Sequence, residues 1–294
     1  SNTTNTLTGG TAITTATTAN FSPPNTVVGT AYYYCVITLS SGGCSNLTSS
    51  IAEVVINQNP VISSKTTLIC SGNSFTVAPQ NSAGDIVPNN TLFSWTTPIV
   101  SPFGVITGAV SQPTPQPTIS QTLVNSSSNP ATVSYTVTPI SGLCKGNTFT
   151  IMVTVNPSIS STVTLTNSTC FGANNGEIQT SSTGGIPFST GPSYTYSWTG
   201  PNGFNSSASN ISNLAPGNYD LSISDAGGCP ITKTYTITEP NDIIIGTDLH
   251  KNVSCFNKAD GSVAITVSGG TLNYSYAWTK NGSPYSIAED LANL

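Results

Sequence analysis

The stretch Thr169-Cys170-Phe171-Gly172-Ala173-Asn174-Asn175-Gly176-Glu177-Ile178 returns as Ser254-Cys255-Phe256-Asn257-Lys258-Ala259-Asp260-Gly261-Ser262-Val263, 85 residues on (170 to 255). Gly184-Gly185 returns as Gly269-Gly270 at the same offset. Tyr194-Thr195-Tyr196-Ser197-Trp198 returns as Tyr274-Ser275-Tyr276-Ala277-Trp278, and Asn210-Ile211-Ser212-Asn213-Leu214 as Asp290-Leu291-Ala292-Asn293-Leu294, both at an offset of 80 (198 to 278). The first copy therefore carries five extra residues (85 against 80) around Pro187 to Pro192. Ordered motifs recurring at fixed offsets mark a structural unit used twice.

The unit is built of strands. Period-two runs of four to eight residues, bounded by Gly, Pro or Asn, recur throughout. Examples are Tyr32 to Leu39, Ala52 to Ile56, Ser74 to Val77, Thr132 to Pro139, Thr148 to Val155, Tyr194 to Trp198, Asn218 to Ser224, Thr232 to Thr238 and Ser262 to Val267. Only Ser286 to Leu294 reads as able to form a helical turn. Short, evenly spaced strands predict antiparallel β-sandwiches. The fold class is all-β, with tandem antiparallel, Ig-like β-sandwiches in an elongated rod.

Composition narrows the function. Charged residues are 6% of the 294, against about 25% in an average soluble protein. No Arg occurs, His250 is the one histidine, and the net charge is −5. Nucleic-acid binding needs a basic stripe on phosphates, so no nucleic-acid partner is expected. A Ser-His-Asp or Cys-His catalytic site would have to use His250, which reads as a solvated surface residue. Disorder pairs low hydrophobicity with high net charge, whereas here 36% of residues are apolar. Thr, Ser and Asn must then form the surface, as strands and turns favour. No apolar run is long enough for a membrane span.

The seven cysteines, Cys35, Cys44, Cys70, Cys144, Cys170, Cys229 and Cys255, form no C-x-x-C pair. They read as disulfides in an oxidising compartment. Cys70-Ser71-Gly72-Asn73 and Cys144-Lys145-Gly146-Asn147 echo one another before strands, and read as two ends of one domain joined by Cys70–Cys144. Cys35–Cys44 closes a hairpin and Cys170–Cys229 spans the first repeat. In the chain-entropy view the long links are worth about 4 kcal/mol each and the short one about 3. The counterpart of Cys229 would fall beyond Leu294, so Cys255 is read as having lost its partner to truncation of a longer chain. Asn59-Pro60, Asn156-Pro157 and Glu239-Pro240 read as borders. Four units follow: 1–59, the C-terminal part of an Ig-like domain; 60–157, a complete sandwich; 158–240, the first repeat; and 241–294, a truncated second one.

With Leu214-Ala215-Pro216-Gly217-Asn218-Tyr219, Asp225-Ala226-Gly227-Gly228-Cys229 and Ile237-Thr238-Glu239-Pro240 added, the repeat resembles the SprB repeat, named for a gliding-motility adhesin of bacterial cell surfaces. The unit ending Tyr135-Thr136-Val137-Thr138-Pro139, Cys144-Lys145-Gly146-Asn147 and Val153-Thr154-Val155-Asn156-Pro157 resembles the PKD-like domains of the same adhesins. Tyr32-Tyr33-Tyr34-Cys35 with Gly42-Gly43-Cys44 resembles a bacterial Ig-like domain. Asn257, standing where the first copy has Gly172, departs from the pattern. The resemblance implies an extracellular, cell-surface adhesin filament, exported by type IX secretion and moved by gliding machinery.

Each candidate site has a plainer alternative. Trp95, Trp198 and Trp278, with Tyr196 and Tyr276, could stack on sugars, but a central-strand Trp in such sandwiches fills the core, which is the reading taken. Tyr194, Tyr196 and Trp198 share one strand face. Glu177 and Asp225 could hold calcium only by converging from different loops, and turn chemistry accounts for Asn-Gly and Asp-Gly equally well. No catalytic residue, metal or other cofactor is expected. The expected role is a non-enzymatic stalk segment of an adhesin for surface attachment and gliding. Its partners would be surface polysaccharide or solid substratum, the export and gliding machinery, and neighbouring repeats of the same chain. The alternatives are carbohydrate-binding or spacer modules of a secreted multidomain enzyme and, less favoured, a surface enzyme domain.

Overall fold

A computed structural model describes residues 2–18, 20–38, 45–82 and 84–294. Among them there is no α-helix, and a 3₁₀ turn occupies Pro201–Gly203. The Ser286 to Leu294 segment forms bends and a two-residue strand instead of a helical turn. The chain divides into two compact units, Ser1–Asn125 with Ala131–Val155, and Ser126–Pro130 with Asn156–Leu294. The division falls beside Asn156-Pro157.

The first unit opens with β1 (Gly29–Tyr33), β2 (Val36–Ile37), β3 (Leu47–Thr48) and β4 (Ala52–Ile56). β1 pairs antiparallel with β4, and β2 with β3. The expected single strand from Tyr32 is thus split at Tyr34 and Cys35. Its end at Leu39 lies outside the described residues.

The larger part of this unit holds β5 (Lys65–Cys70), β6 (Ser74–Val77), β7 (Thr91–Trp95), β8 (Ile99–Ser101), β9 (Ile106–Thr107) and β10 (Gln112–Gln116). It continues with β11 (Ile119–Thr122), β12 (Val124–Asn125), β13 (Ala131–Ser141), β14 (Cys144–Lys145) and β15 (Phe149–Asn156). The main sheet runs β10-β7-β13-β15-β5, with β8 and β14 also on β13, and β11-β6 and β12-β9 are separate pairs. Strict alternation puts Ala131, Val133, Tyr135 and Val137 of β13 and Phe149, Ile151, Val153 and Val155 of β15 into one core. Phe75, Phe93, Trp95, Ile119 and Leu123 complete it. The polar tips of the two large rings are not stranded there. Trp95 Nε1 donates to the Val110 carbonyl, and the buried Tyr135 hydroxyl bonds Gln121 Oε1. Burial pushes the Tyr135 phenol well above its ordinary pKa.

The second unit begins with β16 (Ile159–Thr166), β17 (Gly176–Gly184), β18 (Thr195–Thr199), β19 (Asn205–Ser206), β20 (Ile211–Leu214), β21 (Gly217–Ser224) and β22 (Ile231–Ile237). Sheet β16-β17-β20 faces sheet β19-β18-β21-β22 across a core of Ile178, Trp198, Ile211, Leu214, Tyr219, Leu221, Ile223 and Ile237. The second copy has β23 (Ile244–Lys251), β24 (Ser262–Ser268), β25 (Trp278–Lys280), β26 (Ser283–Ser286) and β27 (Leu291–Ala292). Its sheets are β23-β24-β27 and β25-β26. β23 lies 85 residues after β16 at both ends.

Side-chain clips recur at the same offsets. Thr180 N donates to Asn210 Oδ1, and Ile265 N to Asp290 Oδ1. Trp198 Nε1 reaches the Ala208 carbonyl, and Trp278 Nε1 that of Ala288. Gly172 and Asn257 both have positive φ, +73° and +65°. The departure at Asn257 is therefore conformationally silent, because Asn is one of the few side-chain residues that adopts this region.

Two expected disulfides are not formed, since Cys144 and Cys170 are free thiols. Each expected pair would join opposite ends of a sandwich. Gly72 and Asn73, just beyond Cys70, bond Leu123, while Asn125 Nδ2 bonds the Val155 carbonyl at the far end of β15. Cys144 lies before the start of that strand, with its Sγ against the Asn57 carbonyl. Eight residues of β15 at about 3.3 Å each separate the two ends, far more than the roughly 7 Å between Cα atoms that a disulfide tolerates. Likewise Cys170 sits by Thr238 and Glu239 after β22, whereas Cys229 precedes that strand. Cys70 and Cys229 are disulfide-bonded. Cys35 is a free thiol, and Cys44 lies outside the described residues. Cys255 is free like its counterpart Cys170, so a lost partner no longer explains it.

Candidate functional site

The Gly-Gly and Asp-Ala-Gly-Gly-Cys motifs of the first repeat are one device. Asp225, at the end of β21, is buried. Its Oδ2 accepts from Ile186 N at 2.6 Å, and its Oδ1 from Gly227 N at 3.0 Å and Cys229 N at 3.4 Å. A carboxylate holding three backbone donors ties two loops together. Gly185 has φ +62°, and an added Cβ there would run into Asp225 Oδ2 and Ile159. Asn156 adds Nδ2 to the Gly227 carbonyl at 2.8 Å. Sequence reading weighed Asp225 as a calcium ligand and missed Asn156. The available signal was that a lone acidic residue beside Gly-Gly is as apt to bind amides as a cation.

Glu177 does not converge with Asp225. It lies at the start of β17, bonded by Gln179, while Asp225 packs beyond the other end of that strand. Among the described residues no three His, Cys, Asp or Glu side chains group as metal ligands do. His250 is exposed on β23 opposite Val263.

The aromatic residues part company. Trp95 and Trp198 are core residues, 5% and 1% exposed, and the Trp198 ring lies 6.1 Å from that of Tyr235. Tyr194 and Tyr196 are half-buried on the same face as Trp198, with Thr195 and Ser197 outward. Tyr276 and Trp278 are also only half-buried, which corrects their reading as core. In the first copy β18 lies within a sheet, between β19 and β21, whereas in the second β25 pairs with β26 among the described strands.

Elsewhere a buried ion pair anchors the first unit. Asp85, on the segment before β7, takes Lys65 Nζ at 2.5 Å and both N and Oγ of Ser63, at 2.8 and 2.7 Å. The Lys65 bond, and the Ser63 bonds after it, hold its carboxyl at about 2. The outer face of β18-β21-β22 forms an open cleft of about 400 Å³ lined by Ser197, Thr199, Ser222, Thr232 and Thr234 with Asp220 and Lys233. A second cleft, of about 510 Å³, lies beside β1 and includes Phe21, Tyr33, Tyr34 and Ser49 without a charged group.

Two family models match parts of the chain. The SprB repeat model matches residues 162–203 and 250–283, and the PKD-like domain model matches 67–159. Two stretches of the chain are thus similar to the SprB repeat and one to a PKD-like domain. Both SprB matches cover the cysteine turn, the Gly-Gly corner and the tryptophan strand. No curated protein matches the chain. Among solved structures it is similar to Sidekick-1 immunoglobulin domains 1–5, at 13% identity and a TM-score of 0.26, covering 86% of this chain and 55% of that one. It is also similar to the N-terminal four Ig domains of Dscam1 isoform 6.9, at 11% identity and 0.23, covering 66% and 51%. Domains 3 and 4 of rat CD4 match at 11% and 0.24, covering 60% and 100%. The chain thus spans about half the length of the Dscam1 chain. No helix among the described residues is long and apolar enough to cross a membrane.

Proposed function

We propose that this chain is a non-enzymatic stalk segment of a cell-surface adhesin filament that serves surface attachment and gliding. The observation that carries the reading is the succession of a PKD-like domain and two SprB repeats in one chain. The geometry suits it. The polar side chains identified above are spent on holding loops and strands together, as Asp225, Asp85 and Asn156 are. The exposed strand faces present hydroxyls, as in the Ser197 to Thr234 cleft. Such a face offers many weak hydrogen bonds to surface polysaccharide with little ionic selectivity. Extracellular localisation and type IX export belong to the same proposal.

Antibody against the chain, applied to intact cells of the producing organism, tests it. Surface labelling, with slowed attachment and gliding, is the expected result. Labelling that appears only after cell lysis, or labelled cells that attach and glide normally, overturns it.

A further inference from the structure

We propose that the first repeat joins two copies of the chain through the edge of β16, strand against strand and antiparallel. β16 pairs with β17 alone among the described strands, so it forms an edge of the β16-β17-β20 sheet. It runs for eight residues, all of them Ile, Val, Leu, Ser or Thr. Its register with β17 is unbroken from Ile159 opposite Gly184 to Thr166 opposite Glu177. A long, regular edge of this kind presents a row of backbone donors and acceptors to any strand that fits it.

Three other edges of the chain are guarded. β10, at the edge of the main sheet of the first unit, contains Pro113 and Pro115, which cannot donate to a ladder. β22 carries Lys233 in mid-strand. The sharpest contrast is β23, the edge strand that holds the place of β16 in the second repeat. There Gly246, Asp248, His250 and Lys251 stand for Ser161, Val163, Leu165 and Thr166, 85 residues on (163 to 248). The register also shifts between Thr247 and Leu249, a bulge that bends the strand. Charges, prolines and bulges keep an edge single, and β16 has none of them.

The occupant is β16 of a second copy. A charged partner strand would find no counter-charge along these eight residues. Two chains of net charge −5 repel one another, and they meet at least cost along a neutral strand. Antiparallel pairing about a two-fold axis near Val163 is self-complementary. Val163 packs at the margin of the core, and Leu165, opposite Ile178 on the same inner face, is 42% exposed. Each copy's Val163 and Leu165 would flank the axis on that face and cover one another. On the outer face the exposed Ser160, Thr162 and Thr164 would form cross-strand hydroxyl pairs. Pairing uses up the β16 edge of both copies, so assembly through it closes at two.

Sedimentation velocity of the full chain from about 10 μM to about 1 mM tests this. The expected result is a monomer–dimer equilibrium in which the amides of residues 159–166 gain protection from hydrogen exchange as the dimer forms. Val163→Asp installs the residue that the second repeat carries at this place, and should raise the dissociation constant about tenfold or more. Thr164→Lys, on the exposed outer face, should do the same and decides the matter should Val163→Asp disturb the fold. Thr247→Lys, on β23, should leave the dimer unchanged. A chain that stays monomeric throughout overturns the proposal. So does a dimer that survives Thr164→Lys, one that Thr247→Lys abolishes equally, or growth into open-ended polymers.

Discussion

Replacing Asp85 by Asn should weaken the PKD-like domain in a way that pH can reveal. The carboxyl sits at about 2 in the folded protein against 3.8 ordinarily, first because of the Lys65 bond and then the Ser63 bonds. At about 1.36 kcal/mol per pH unit, that difference corresponds to about 2 kcal/mol of stability at neutral pH. The side chain of Asp85 is 3% exposed, so solvent screening removes little of it, whereas Lys65 at 29% can turn to water once its partner is neutral. The folded pKa is lowered, so the contribution is complete above the ordinary value and disappears as pH falls from about 4 to about 2. Asp85→Asn should therefore lose about 2 kcal/mol at pH 7 and close on the parent protein below pH 3. Urea unfolding followed through Trp95, in chains carrying Trp198→Phe and Trp278→Phe, reads this domain alone. A difference below about 0.5 kcal/mol at pH 7, or one that stays constant down to pH 2, would refute the reasoning.

Three further outcomes can be checked. Alkylation of the folded chain without reductant, followed by peptide mass mapping, should modify Cys35, Cys144, Cys170 and Cys255 and leave Cys70 and Cys229 for a second label added after reduction. Gly185→Ala should destabilise the first SprB repeat by about 2–4 kcal/mol in urea unfolding, since it combines a positive φ with a collision against the Asp225 carboxylate. Trp198→Ala should cost about 3–5 kcal/mol, as for a filled core position. Trp278→Ala should cost less than half of that, because its ring is already half in water; equal costs in thermal melts would contradict the open face.

Strand placement and repeat architecture were legible from the text because they depend on local chemistry. Period-two alternation places Tyr194, Tyr196 and Trp198 on one face whatever surrounds them. The Gly172 to Asn257 exchange likewise obeys a backbone rule that acts on single residues. Pairings across the fold were not legible in the same way. The Cys-x-Gly-Asn echo at Cys70 and Cys144 is a genuine local likeness, since both precede strands. Which ends of those strands share one side of a sandwich depends on strand order and direction, and neither is written in the spacing. The same holds for Glu177 and Asp225, two carboxylates in similar turns at opposite ends of β17.

The sequence by itself determined that this chain is all-β, modular and built on a repeated unit, because alternation, turn residues and recurrence at fixed offsets are properties of neighbours along the chain. Tertiary structure alone decided which cysteines can meet, that Asp225 clamps backbone amides, and that Trp198 is sealed while Trp278 is not. Those outcomes depend on distances between residues far apart in the text, and the same Tyr-x-Tyr-x-Trp strand is buried at its Trp in one copy and half-buried in the other.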